Sequence, residues 1–74
     1  HPTAQANLGM MYENGDGVLQ DNVRSHMWYN IAASNGTKDS LRSRDNLAKK
    51  MTAGDISKAQ QLARECVAKE YKGC

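Results

Sequence analysis

Cys66 and Cys74 are the only thiols in this 74-residue chain, and eight positions separate them. In an unbroken helix their Cα atoms would stand ~12 Å apart at 1.5 Å per residue, whereas a disulfide needs less than ~7 Å. A bridge therefore requires the chain to turn back between them, and Gly73 is placed to let it do so. Closing so short a loop would stabilise a weak C-terminal helix by roughly 2–3 kcal/mol in the chain-entropy model. Free thiols and pairing to another chain are the alternatives. A bridged pair points to an oxidising compartment, periplasmic or secreted, with a cytoplasmic setting left open.

The remaining chemistry-bearing residues form no recognisable constellation. Two histidines and two cysteines stand in no finger-like or zincin-like spacing. His1 could chelate copper through its amine and ring with His26 as a third ligand, but His1 reads more simply as a chain start. His26 reads as a partly exposed helical residue. None of Ser25, Ser34, Ser40, Ser43 and Ser57 sits in a nucleophile elbow, and Ser-x-x-Lys, Ser-Asp-Asn and Lys-Thr-Gly are all absent. The Gly15-Asp16-Gly17 loop is too short and too acidic to cradle phosphate. No catalytic residue, metal ligand or cofactor is assigned, and the expectation is a non-enzyme.

Four helices account for the hydrophobic pattern, and no segment alternates as a strand does. The first runs from a Thr3 cap to about Asn14, with Ala4, Leu8, Met11 and Tyr12 on one stripe. Asn14-Gly15-Asp16-Gly17 ends it, glycine tolerating positive φ where other residues are strained. Asp21 caps the second helix, which runs to about Asn35 and stops at Gly36. Its apolar arc is wide: Val23, Met27, Trp28, Ile31, Ala32 and Ala33. Such width predicts contact with two neighbours. The third helix spans about Lys38 to Lys50 with Leu41, Leu47, Ala48 and Met51 inward. Thr52 with Asp55 resembles a capping box for a fourth helix carrying Ile56, Ala59, Leu62, Ala63, Cys66 and Val67 and ending near Tyr71. The Met10, Met11, Met27, Trp28, Tyr29 and Met51 side chains read as packing.

Charge divides unevenly along these elements. Residues 1–36 hold one basic residue against three acidic ones, and residues 37–74 hold nine against five. The basic half reads as a solvated helix face, since no aromatic platform interleaves the charges as single-strand nucleic-acid binding needs. No apolar run is long enough to span a bilayer.

The succession Leu8-Gly9-x-x-Tyr12, Gly15-x-Gly17-Val18, Asp21, Trp28-Tyr29, Ala32-Ala33, Gly36 resembles the Sel-1-like repeat, a relative of the tetratricopeptide repeat with a longer glycine-rich turn. The likeness covers residues 4–36, with Ser25 where the family usually has Ala. It implies an all-α fragment of an α/α solenoid, a right-handed superhelix of antiparallel helices. Residues 1–36 are then one repeat. Sliding by 36 residues sets Ser40 on Ala4, Arg44 on Leu8 and Ala48 on Tyr12, so residues 37–74 read as a degenerate repeat, a C-terminal capping helix pair. Together the two halves predict two α-hairpins side by side.

The resemblance also implies a scaffold or adaptor that binds a protein or peptide, in bacteria often at the cell envelope. Asn7, Met10, Met11 and Asn14 on the inner helix are the partner-binding candidates it suggests. No nucleic-acid partner and no membrane span are expected. Since one repeat cannot bury its own apolar face, and the chain begins at His1, further repeats are expected before it in a longer parent. Two alternatives stand beside this reading: a purely structural cap of a longer solenoid, or a β-lactam-binding or hydrolysing protein like some cysteine-rich members of the family. The cysteines here cluster at one end and do not bracket each helix pair as in those members.

Overall fold

The computed structural model describes residues 1–74, which form four helices and no strand: α1 (Pro2–Asn14), α2 (Asn22–Ser34), α3 (Lys38–Ala48) and α4 (Ala53–Ala68). Local chemistry sets most of the ends. Asp21 Oδ1 accepts the Arg24 N–H at 3.1 Å, and Thr52 Oγ1 accepts the Asp55 N–H at 3.1 Å, each satisfying a donor that the first helical turn leaves free. The first helix starts earlier than its sequence suggests. His1, not Thr3, is the cap: its Nδ1 accepts the Thr3 N–H at 3.3 Å. Pro2 then fills a position where its missing N–H is no loss.

Gly15 and Gly17 both adopt left-handed φ, +72° and +75°, and make the reversal between α1 and α2. The Asp21 N–H then donates to the Tyr12 carbonyl at 2.9 Å, which ties the end of the loop back onto α1.

The second helix is the hub of the fold. It packs against α1, α3 and α4, while every other pair of helices touches marginally or not at all. The wide apolar arc implied two neighbours; there are three. Seven of its residues are buried, among them the polar Ser25 and His26. Met27, Trp28 and Ile31 form the core cluster with Ala63 and Cys66 of α4, and Leu8, Tyr12 and Leu62 pack against it. The pairing differs from two side-by-side hairpins, because α3 and α4 each lean on α2 rather than on each other.

Close approach of α1 and α2 depends on one glycine. A Cβ at Gly9 would stand 2.6 Å from Cδ1 and 2.7 Å from Cε1 of the Tyr29 ring. That ring cannot easily give way, since it is buried and its hydroxyl donates to Glu13 Oε1 at 2.7 Å. Ser25, the departure from the usual repeat pattern, uses its hydroxyl to donate to the Gly9 carbonyl at 2.7 Å within the same buried seam. Burial, with the Glu13 carboxylate adding to it, pushes the Tyr29 phenol well above the ordinary tyrosine range. The phenol therefore stays a neutral donor at any physiological pH.

Several inward assignments shift. Ala4 is exposed, and α1 buries Gln5 and Gly9 instead. On α3 the inward stripe passes through Ser40 and Leu47, with Leu41 left 45% exposed. The reason lies at Arg44, between those two on the same stripe, whose Nη1 donates to Asn30 Oδ1 at 2.8 Å and turns this face toward α2. The third helix ends at Ala48 and the fourth at Ala68, each short of the Lys50 and Tyr71 that sequence suggests.

Beyond α4 the chain doubles back. The Tyr71 N–H donates to the Cys66 carbonyl at 2.8 Å, the closing bond of a Schellman-type helix end. Glu70 and Tyr71 take φ of +55° and +66°, and Gly73 follows at +74°. The cysteine sulfurs lie 2.06 Å apart and their Cα atoms 5.8 Å apart, so the fold brings the two thiols to bridging distance. Arg24 on α2 holds the last residue through a 3.4 Å hydrogen bond to the Cys74 carbonyl.

Candidate functional site

Where the C-terminal half of α2 meets that of α4, the surface opens into a groove of about 570 Å³. Its floor is apolar: Ile31 and Ala63 are buried, and Val67 stands 51% exposed along one wall. The sequence sets Val67 in the core; it stays open because Ser34, Asn35 and Tyr71, which line the groove with it, leave it half uncovered. Amide side chains form much of the rim, with Asn30 on α2, Asn35 at the cap just beyond it and Gln60 on α4. Tyr71 closes one end, carried there by the reversed tail.

Two of these amides are held in place. Asn30 Oδ1 accepts from Arg44 as described, so its Nδ2 donors are free. Asn35 Nδ2 donates to Gln5 Oε1 at 3.0 Å and to Tyr71 Oη at 3.3 Å, so its carbonyl oxygen is free. The groove edge thus presents one fixed donor and one fixed acceptor. Arg64 lines the same groove and makes no ion pair; the two in the chain are Arg24–Asp21 and Arg44–Asp45.

The residues singled out from sequence fall elsewhere. Asn7, Met10 and Asn14 are exposed and Met11 is half-buried. Their spacing sets them on one stripe of α1, opposite the Gln5/Gly9 face that meets α2. The Met11 methyl lies against the glycine loop, 3.7 Å from where a Gly17 Cβ would stand. The groove residues carried no motif. The one signal for them was the cysteine pair, which demands a fold-back and so delivers Tyr71.

Against expectation, His26 is only 3% exposed, and its Nδ1 has no hydrogen-bond partner in the protein. The third helix covers it, with Arg44 and Asp45 close by. Burial holds the imidazole below its ordinary value of 6.5; Arg44 pushes the same way and Asp45 opposes. His1 and His26 are not brought together with other ligands, and no cluster of His, Cys, Asp or Glu could hold a metal ion. Unfolded chains take up a proton at His26 near pH 6.5 while folded ones resist it. Stability is therefore present above that pH and lost progressively as pH falls below it, by about 1.4 kcal/mol for each unit of depression. Melting temperature should drop between pH 7.5 and 5.5, with the slope flattened in His26→Phe; an unchanged slope would mean His26 is solvated.

Residues 2–37 match the family model of the Sel1 repeat. The chain carries a Sel1 repeat. Searches of curated proteins and of solved structures gave no match. The matched span is α1, the glycine turn and α2, together with the Gly36 stop, so the Sel1 repeat is the hairpin built around Gly9 and Tyr29. Sel1 repeats fold as tetratricopeptide-like solenoid units and generally serve as protein–protein interaction modules. No helix of the chain is long and apolar enough to cross a membrane.

Proposed function

We propose that this Sel1-repeat protein is a non-catalytic scaffold or adaptor that seats a protein or peptide partner in the groove between α2 and α4. The observation that carries this reading is the groove itself, an open apolar floor edged by amides, of which Asn30 and Asn35 are already fixed by hydrogen bonds. Preorganised polar groups around an apolar floor favour binding, because little side-chain freedom is left to lose. The bridged tail supports a further part of the reading, namely work in an oxidising compartment, periplasmic or secreted.

A second surface has its own support. The stripe of Asn7, Met10, Met11 and Asn14, exposed except for the half-buried Met11, faces away from the chain's own core, where a preceding repeat or a partner would stack. A selection from a display library of random short peptides separates the two. The groove reading predicts that selected peptides bind Met10→Lys as they bind the parent and lose binding to Val67→Lys. Loss with Met10→Lys alone would move the site to α1. Absence of any selectable peptide would favour residues 37–74 as a structural cap, and turnover of a chromogenic β-lactam would favour the catalytic alternative.

A further inference from the structure

The groove's polar groups also say what kind of partner segment fits it, an inference that rests on the groove being the binding site. Arg64 is the one charged residue lining it, and no carboxylate shares the groove. The nearest acid in sequence, Glu65, points to the other side of α4. There it accepts from Gln61 at 3.0 Å and lines a separate, smaller cavity with Arg24 and Lys69. A guanidinium with no counter-charge beside an apolar floor is complementary to a carboxylate, which it can bind by two parallel hydrogen bonds.

The amide edge narrows the choice further. The free Nδ2 donors of Asn30 and the free carbonyl oxygen of Asn35 can receive a backbone C=O and N–H. An extended segment offers those groups along its length, whereas a helix interior uses its own internally. A single cation without stacking aromatics is too little for a nucleic-acid backbone. We propose that the groove takes an extended segment of a partner protein whose acidic side chain meets Arg64 and whose neighbouring apolar side chain lies on Ile31 and Val67.

The test uses the oxidised full chain and the same library of random short peptides. Selected sequences should be enriched in Asp or Glu beside an aliphatic or aromatic residue. The best of them should bind Arg64→Glu about ten-fold more weakly, the scale of a charge-assisted hydrogen bond. Reselection on Arg64→Glu should replace the acid by Lys or Arg. Lys58→Glu makes the same charge change on the opposite face of α4 and should leave affinity unaltered; circular dichroism checks that each variant is folded. Peptides that lose binding to Val67→Lys yet show no acidic preference and ignore Arg64→Glu would overturn the carboxylate assignment and leave the groove standing. Peptides indifferent to Val67→Lys, or none at all, would overturn both. Self-association abolished by Val67→Lys would show a second copy in the groove and would likewise overturn the proposal.

Discussion

Trp28→Ala is expected to leave the chain largely unfolded at room temperature. Trp28 is 6% exposed and stands in the cluster that joins α2 to α4, with Leu8 and Tyr12 of α1 packed against it. Removing so large a buried side chain costs about 3–5 kcal/mol, and a domain of this size holds only a few kcal/mol in total. Helical circular dichroism should fall to that of an unfolded chain. Trp28→Phe is the informative partner. The indole N–H is buried without an acceptor in the protein, a situation that costs about 1–3 kcal/mol. Phenylalanine removes that penalty and keeps most of the packing, so its loss should be under half that of alanine. Both variants remove the N–H, so equal losses would mean that an aromatic ring at this position contributes no packing.

Cys74→Ser, or reduction, is expected to cost about 2–3 kcal/mol, the loop-closure contribution of a bridge over so short a span. For a chain of this length that lowers the melting temperature by roughly 8–24 °C. The effect should also be local. Tyr71 reaches the groove only because the tail reverses through Glu70 and Tyr71 in left-handed conformations that non-glycine residues rarely hold. Without the bridge that reversal has only backbone hydrogen bonds, the Asn35–Tyr71 hydrogen bond and the Arg24 contact to hold it. Peptide affinity should therefore fall together with stability. Intact mass with and without reductant checks the bridge, and a melting temperature indifferent to reductant would contradict its role.

How legible this was depends on what each feature rests on. The glycine turn, the Asp21 and Thr52 caps and the apolar arc of α2 are written in residue type and spacing, and the structure has them where expected. The hub role of α2 is not. Ser25 and His26 are polar, and a hydropathy pattern sets such residues toward water. They are buried because a glycine carbonyl and a covering helix meet them there, which are long-range facts. Leu41 and Val67 illustrate the converse. Both fit a helical apolar stripe, yet one is displaced by the Arg44–Asn30 contact and the other lines an open groove. The groove was illegible because it forms between side chains of two helices and a tail that folds back, and no local pattern encodes that.

Amide hydrogen exchange on the oxidised chain tests the central claim most directly, that one helix serves as the wall on which the other three rest. The slowest-exchanging amides should cluster in α2, around Met27 to Ala32, with α3 and α4 opening sooner and independently of each other. Contradiction would be a matched, slow pair in α3 and α4 while α2 exchanges quickly, the signature of two self-sufficient hairpins with no shared hub and no groove between α2 and α4.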